Sequence, residues 1–448
     1  MSDHSPLALK ARYIFPVAAP PLPDGVVTIA GERIVAVGEN RSGRPAVDLG
    51  NVALVPGLVN AHTHLEFSDL ATPLGSPGDR LPDWIRRVIA HRAAAREMAA
   101  VDPRPSGLAE CARGGATTIG EIATQPWPEA SLGGGLATGG DCPEFAESAQ
   151  QIGPVPFFPP ASVTVFWEVI GLTPAAFAER EAAAAAHLSR SWPSDRYARP
   201  GLSPHAPYSV HPELFERTLR LAAAAGAPVA MHLAESREEL ELLAHGTGPF
   251  RDLLVDLAVW QADVFRGGRR VLDYLKLLAA APRALAIHAN YLDRDEIDFL
   301  AAHADRISVV YCPRTHTYFG HERYPLAALV ERGVNVALGT DSRASNPDLS
   351  LLAELRHAAR THAEIPPAKH LELATLSGAR ALGLAHETGT LAAGKLANLA
   401  VVALPDSTPA DPHELLLAAD PPLVATWHRG VRFDSRPLTR SASEGPQT

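Results

Sequence analysis

Cysteine is scarce in this chain of 448 residues, which contains only Cys111, Cys142 and Cys312. Three cysteines with no close pair predict neither a disulfide framework nor a thiolate zinc cluster. Any metal ion would therefore have to be bound by histidine and carboxylate side chains.

Long apolar runs and clusters of basic residues are also missing. No run approaches the roughly 20 residues that a membrane-spanning helix needs, and the first residues lack the basic and then apolar pattern of a secretory signal. The net charge is −10 and the arginines are scattered, so we expect no nucleic acid and no membrane as a partner. Residues 133–135 lack the Lys-Ser/Thr of a phosphate loop. We therefore expect a cytoplasmic protein whose partner is a small molecule.

The most informative stretch is an apolar segment, residues 52–59, that leads into Asn60-Ala61-His62-Thr63-His64. Residues two apart in a strand point the same way, so His62 and His64 could bind one metal ion through neutral imidazole nitrogens. Two solvated histidines are the ordinary alternative, because a His-x-His pair arises easily by chance. The residues that follow the other predicted strands are needed to decide between a metal site and two solvated histidines.

The middle of the chain repeats an apolar strand, a polar strand end and an amphipathic helix. This pattern is typical of an α/β fold, the parallel (β/α)8 TIM barrel. We assign the barrel to residues 56–384. After the His-x-His strand, strands are predicted at residues 116–119, 162–167, 201–203, 229–232, 284–288, 307–311 and 334–338, which makes eight.

Both ends of the chain consist of short strands separated by turns, at residues 7–15, 26–30 and 33–37 and again at 399–404 and 424–433. We predict that residues 1–55 and 385–435 form one small β-sandwich. Residues 436–448 are predicted to be a disordered tail, and residues 125–160 a long loop with a weak helix.

Polar side chains follow several predicted strands, at the end of a parallel barrel where active sites lie. Strand five is followed by Glu235, and strand six ends at His288. Each such residue alone has an ordinary explanation, but their joint placement predicts an active site with one divalent ion. Three imidazoles and one carboxylate could enclose that ion, those of His62, His64, His232 and Asp341.

Seven motifs occur in a fixed order along nearly the whole chain. They are Val55-Pro56-Gly57, His62-Thr63-His64, Gly114-Gly115-Ala116-Thr117-Thr118, Ser203-Pro204-His205-Ala206-Pro207-Tyr208, His232-x-x-Glu235 with His288, Leu338-Gly339-Thr340-Asp341-Ser342, and Gly389-Thr390-Leu391-x-x-Gly394-Lys395. This order resembles the amidohydrolase superfamily, in the branch that includes cytosine, adenosylhomocysteine/methylthioadenosine and aminofutalosine deaminases and the triazine chlorohydrolases.

The resemblance implies a distorted (β/α)8 barrel with a β-sandwich built from both termini. It also implies metal binding by His62, His64, His232 and Asp341. Glu235 would then shuttle protons, His288 would orient the attacking water, and Asp341 could pass a proton to the departing ammonia.

The implied reaction is hydrolytic deamination of a purine-like or other heterocyclic substrate. Residues 60–66 and 166–171 make aminofutalosine deaminase the nearest member. Two alternatives stay open: a cyclic amidase or chlorohydrolase using the same site, and a non-catalytic scaffold on the same fold.

Lysine is nearly absent, and this bears on the number of metal ions. Several members of the superfamily bridge two ions with a carboxylated lysine from strand four. His205 stands at that strand end here, and none of the four lysines, Lys10, Lys276, Lys369 and Lys395, lies there. We expect one ion, Zn or Fe(II), since imidazole and carboxylate suit both.

Residues that contact the substrate are harder to assign. Trp84 resembles a family tryptophan that closes over the substrate, although a tryptophan in an amphipathic helix is about as often a packing residue. His205 sits at a strand end within a well-matched motif. Glu168, on strand three, could face the pocket or pair with an arginine.

The loop after strand seven departs from the family pattern, because Cys312-Pro313-Arg314-Thr315-His316 replaces an Asn-Pro-x-Ser-Asn type sequence. Arg314 and His316 could contact a polar or anionic part of the substrate, or belong to a solvated loop. Relatives are often dimers or larger, so a homo-oligomer is compatible with the sequence.

Overall fold

The structure, a computed structural model, describes residues 6–39, 46–97, 101–127, 161–192, 197–418 and 421–434. The predicted tail and most of the predicted 125–160 loop lie outside these residues. In the described part of the chain, no helix has both the length and the apolar character needed to cross a membrane.

Eighteen strands are present among the described residues. They are β1 (Leu7–Lys10), β2 (Tyr13–Ile14), β3 (Leu22–Pro23), β4 (Val26–Ala30), β5 (Arg33–Gly38), β6 (Val47–Asp48), β7 (Val52–Pro56), β8 (Leu58–Thr63), β9 (Ala116–Ala123), β10 (Ser162–Val169), β11 (Ala198–Pro204), β12 (Val229–Leu233), β13 (Ala284–His288), β14 (Ile307–Tyr311), β15 (Asn335–Leu338), β16 (Leu399–Ala403), β17 (Leu423–His428) and β18 (Val431–Asp434).

The same part of the chain contains fourteen α-helices. They are α1 (Leu81–Glu97), α2 (Arg104–Arg113), α3 (Phe177–Ser189), α4 (Pro212–Ala225), α5 (Arg237–His245), α6 (Pro249–Asp256), α7 (Val271–Leu278), α8 (Arg294–Ala302), α9 (Pro313–Tyr318), α10 (Leu326–Glu331), α11 (Leu351–Thr361), α12 (Pro367–Leu373), α13 (Leu376–Ala381) and α14 (His413–Leu417).

Strands β8 to β15 form one parallel sheet in sequential order. Its two edges meet where the amide groups of Thr340 and Asp341 donate hydrogen bonds to the carbonyl of His62, both at 3.1 Å. Farther back, the amide of Val59 bonds instead to the carbonyl of Ala374, 2.9 Å away, in the link between α12 and α13. The predicted distorted (β/α)8 barrel is thus confirmed, with all eight strands.

A β-bulge in β8 lies next to the His-x-His motif. Asn60 pairs with Ile119 and Thr63 with Glu121, so two residues of β8 stand opposite the single Gly120 of β9. An extra residue reverses the faces on which the following side chains lie. A Cβ at Gly120 would collide with the carbonyl oxygen of Ala61, so glycine accommodates the bulge.

The chain termini form two further sheets beside the barrel. One has the strand order β5-β4-β1-β6, and the other has the order β18-β17-β16-β7-β2-β3. β7 pairs antiparallel with β16, with Val55 opposite Ala400. Leu9, Leu54 and Trp427 contribute to their shared apolar core. The predicted sandwich from both termini is confirmed, whereas the boundaries at residues 55 and 385 stay predictions.

Local sequence signals fix the helices around the barrel. Helix α4 has a clear signal at each end: His211 accepts a hydrogen bond from the amide of Glu213, and Gly226 ends the helix with φ of 63°. Helix α8 begins with a capping box between Asp293 and Glu296. Apolar faces such as Leu214, Phe215 and Leu219 then pack against the strands.

Candidate active site

Three histidines from two strands meet at the carboxyl end of the barrel. One ligand nitrogen from each of His62, His64 and His232 lies within 4.8 Å of the other two. The Nε2 atoms of His64 and His232 are 3.3 Å apart. All three side chains are buried, so the i, i+2 pair from β8 joins the strand-five histidine as the sequence predicts.

Asp341, after β15, completes the group. Its Oδ1 lies 3.5 Å from Nε2 of His62 and 3.8 Å from Nε2 of His64. Burial alone would raise the pKa of Asp341, but the close approach of His62 outweighs it, and the pKa of Asp341 is lowered. The carboxylate therefore stays ionised beside the imidazoles.

The ring nitrogens have the pattern that metal binding requires. The Nδ1–H of His232 donates to the carbonyl of His205 at 3.0 Å, which leaves Nε2 as a lone-pair donor. Both ring nitrogens of His62 and Nδ1 of His64 are buried without a hydrogen-bond partner. Burial lowers the pKa of His64 and His232 well below its usual value, so these rings are neutral. Buried imidazole nitrogens without hydrogen-bond partners, beside a carboxylate, fit one divalent ion.

Glu235 and His288 lie next to this group, with Oε1 and Nε2 3.4 Å apart. Burial, and then the charge of Asp341, raises the pKa of Glu235 well above its usual value. A carboxyl group whose pKa is raised in this way is suited to take and return a proton during the reaction. Glu239 holds the backbone before Glu235 in place, because its carboxylate accepts hydrogen bonds from the amides of Ala234 and Glu235 at 2.9 and 2.8 Å.

The backbone is strained at these strand ends. Among the described residues, eight non-glycine residues have a positive φ, and four of them follow or end barrel strands, namely Ala234, His288, Ala289 and Asp341. Left-handed conformations cost L residues about 1–3 kcal/mol each and concentrate at functional sites. The strain therefore coincides with the polar strand ends.

Glu168 and His205 form a second pair beside the histidines. Oε1 of Glu168 is buried without a hydrogen-bond partner and lies 3.8 Å from Nε2 of His205. When the single hydrogen of Ser209 goes to the carbonyl of Ala206 at 3.1 Å, Nδ1–H of His205 donates to Ser209 at 2.6 Å and Nε2 is an acceptor. Burial lowers the pKa of His205 to about 3, so its ring is neutral.

Arg92 was missed by the sequence analysis. Its Nη2 lies 2.7 Å from Glu66 and 3.9 Å from Glu168, and its guanidinium sits over the ring of Phe67. Glu168 therefore both borders the site and pairs with an arginine, the two alternatives left open above. The only sequence signal was the spacing of Arg92, eight residues after Trp84 on the same helix.

Trp84 is held against the loop after β15. Its indole N–H donates to the carbonyl of Ala344 at 3.1 Å, and its ring meets Phe319 edge-on at 5.3 Å. These contacts fix helix α1 over the carboxyl end of the barrel. Its predicted contact with the substrate stays a prediction.

Arg314 makes a different set of contacts from the one the sequence suggested. Its Nε donates to Glu354 at 2.7 Å, and its Nη1 and Nη2 donate to Asp348 at 3.1 and 2.7 Å. Glu354 is fully buried. This geometry favours a structural ion pair over either a substrate contact or a solvated loop.

His316 is buried on helix α9, and its Nε2 has no hydrogen-bond partner. Its ring contacts Tyr311, Tyr324 and His321 at centroid distances of 5.8, 5.6 and 5.4 Å. The Tyr324 hydroxyl donates to the carbonyl of His288 at 2.9 Å. His316 thus packs in an aromatic cluster that supports His288, and a substrate contact by His316 stays a prediction.

Comparison with known proteins agrees with this geometry. Residues 53–432 match the amidohydrolase family. The 5-methylthioadenosine/S-adenosylhomocysteine deaminase of Moorella thermoacetica is 30% identical over 88% of this chain and 85% of its own. The aminodeoxyfutalosine deaminase of Deinococcus radiodurans is 29% identical over 81% and 82%.

A solved structure extends the likeness to three dimensions. The zinc-bound adenosine deaminase of Xanthomonas campestris has a TM-score of 0.68 and 26% identity, covering 98% of this chain and 95% of that one. The chain therefore belongs to the amidohydrolase family, as a metal-dependent enzyme that hydrolyses carbon–nitrogen bonds.

Proposed function

We propose that this enzyme binds one Zn or Fe(II) ion and removes the ring amino group of an adenine nucleoside that is modified at its 5′ position. Water and the amine are converted to a ring carbonyl and ammonia. Two of the relatives named above carry the names of such substrates, and the sequence motifs favour an aminofutalosine-like substrate. A cytoplasmic location and a homo-oligomer stay predictions from the sequence.

The observation that carries this proposal is the Glu235–His288 pair, with Oε1 and Nε2 3.4 Å apart, beside three imidazoles and one carboxylate. His62, His64, His232 and Asp341 would bind the ion. When bound, such an ion would lower the pKa of a water molecule to about 7 and so supply hydroxide at neutral pH.

The remaining steps belong to the side chains. Glu235 accepts a proton from the attacking water and delivers it to the ring nitrogen next to the reacting carbon. His288 orients the water through its imidazole. Asp341, which is ionised, takes the remaining proton from the added hydroxyl and passes it to the amino group as it leaves, so that the ring carbonyl forms and neutral ammonia departs.

Two acceptors beside the site favour a ribose. Oε1 of Glu168 is buried without a hydrogen-bond partner and lies 3.8 Å from Nε2 of His205, which is an acceptor in the tautomer whose Nδ1–H donates to Ser209. Two adjacent acceptors bind a ligand that presents two adjacent donors, as the 2′ and 3′ hydroxyls of a ribonucleoside do. Hydrogen bonds to a charged group contribute about 1.5–3 kcal/mol each, so a dideoxy substrate should bind at least tenfold more weakly.

The test is ammonia release by the metal-loaded protein. The panel is adenine, adenosine, 2′,3′-dideoxyadenosine, methylthioadenosine, S-adenosylhomocysteine and aminodeoxyfutalosine, with His232→Ala as the blank. We expect release from the 5′-modified nucleosides, little from adenine, and none from the blank.

Two other outcomes would contradict the proposal. Silence across the panel with one equivalent of metal bound would indicate an amide or halide leaving group instead. A wild-type protein that binds no metal under these conditions would favour the non-catalytic scaffold. Metal analysis of protein purified after growth with zinc or iron would distinguish the two ions.

A further inference from the structure

Asp341 makes a hydrogen bond that the reaction does not use. The hydroxyl of Ser345 donates to Oδ2 of Asp341 at 2.8 Å, and Ser345 is fully buried. Oδ1, the other oxygen, is the one that faces His62 and His64. The two oxygens of this carboxylate therefore have different partners.

The hydroxyl of Thr315 orients the hydroxyl of Ser345. Oγ1 of Thr315 lies 3.0 Å from Oγ of Ser345, and Thr315 is also buried. An ionised carboxylate can only accept, so the single hydrogen of Ser345 belongs to Asp341. Thr315 must then donate to Ser345, and the two bonds run in one direction, from Thr315 to Ser345 to Asp341.

Thr315 is itself held in place by the loop that departs from the family pattern. It follows Arg314 on helix α9, and Glu354 accepts both the backbone amide and Nε of Arg314, at 2.9 and 2.7 Å. Glu354 also accepts Nδ2 of Asn346, which in turn bonds to the carbonyl of Thr340 at 2.9 Å. One buried carboxylate thus joins the strand-seven loop to the strand-eight loop.

We propose that Thr315 and Ser345 are positioning residues that hold Oδ2 of Asp341 and leave only Oδ1 for the metal ion. This inference rests on the proposed metal site. Without the two hydroxyls, the carboxylate could rotate or offer both oxygens. Hydrogen bonds to metal ligands typically change metal affinity by about 10- to 100-fold.

The test compares Ser345→Ala and Thr315→Val with wild type. Zinc affinity is measured by competition with a chromogenic chelator, and the visible spectrum of the cobalt-substituted protein reports the coordination geometry. We expect about 10- to 100-fold weaker zinc binding in Ser345→Ala, a smaller loss in Thr315→Val, and an altered cobalt spectrum in both. Thr315→Ser keeps the hydroxyl and should restore affinity and spectrum.

Ser342→Ala is the matched control. Ser342 is a buried serine of the same loop, and its Oγ accepts the amide of Ala344 at 3.2 Å without bonding to the Asp341 carboxylate. The zinc affinity of the Ser342→Ala protein should equal that of wild type. Should Ser345→Ala fail to fold, the Thr315→Val and Thr315→Ser pair decides the question.

Equal zinc affinities and identical cobalt spectra in Ser345→Ala, Thr315→Val and wild type would overturn the positioning role while leaving the proposed deaminase intact. A wild-type protein without zinc affinity would remove the metal site, and this inference with it. The two proposals therefore fail in distinguishable ways.

Discussion

Two polar clusters lie at the carboxyl end of the barrel, and they differ in how their hydrogen bonds are satisfied. In the histidine cluster, formed by His62, His64 and His232, three ring nitrogens have no partner. In the arginine cluster, formed by Arg314, Asp348 and Glu354, every nitrogen of the guanidinium has a carboxylate partner.

This difference distinguishes a candidate ligand-binding cluster from a structural one. A buried polar atom without a partner costs about 1–3 kcal/mol, and native proteins keep few of them. In the histidine cluster, a ligand that binds the unpaired nitrogens would remove this cost. In the arginine cluster the guanidinium nitrogens are already paired with carboxylates, although the sequence alone made Arg314 a candidate for substrate binding.

The largest expected effect is on catalysis, in Glu235→Gln. This change keeps the shape of the side chain but removes its ability to carry a proton, so kcat should fall by about 100- to 10,000-fold. The bound metal and the unfolding curve should match wild type. Steady-state kinetics, metal analysis and denaturant unfolding check the three parts. Turnover within twofold of wild type would remove Glu235 from the mechanism.

The second-largest effect is expected on the free energy of unfolding, in the variant Arg314→Met. Glu354 would keep only an amide side chain and one backbone amide as partners for a fully buried carboxylate. Breaking a buried pair in this way costs about 3–5 kcal/mol of unfolding free energy, measurable by denaturant unfolding. Arg314→Met/Glu354→Gln should recover part of that loss.

A contrary result for Arg314 would restore its predicted role. If Arg314→Met left stability nearly unchanged and raised KM for the nucleoside, the arginine cluster would bind the substrate after all. The comparison between the two clusters would then no longer hold.

The smallest effect is expected for Arg237→Met. Arg237 pairs with Glu322 at 2.7 Å, but the two side chains are 59% and 67% exposed. Water and salt screen such a pair, so neither the unfolding curve nor kcat should change measurably. A loss comparable to that of Arg314→Met would show that burial does not set the cost of breaking these pairs.

The sequence predicts the framework well because its signals are local. Alternation of apolar strands and amphipathic helices is sufficient for all eight barrel strands, and a proline and a glycine bracket helix α4. Residues such as His232 and Asp341 could be anticipated because parallel strands bring their carboxyl ends together.

The missed features depend on contacts between distant segments. Arg92 reaches Glu168 across 76 positions of the sequence, and nothing near either residue predicts the pair. The same holds for Thr315 and Ser345, whose hydroxyls meet only because two loops are packed together. The β8 bulge likewise depends on Gly120, a residue of another strand.

Strand β7 has a consequence for the order in which the molecule is assembled. It pairs with β16 from the far end of the chain, and through Gly57 it continues directly into β8, the strand that carries His62 and His64. Pairings between segments so distant form slowly, because a long loop must close first. A nascent chain that stops before Leu399 would leave β7 without this neighbour, and the histidine strand would then emerge from an unfinished sheet.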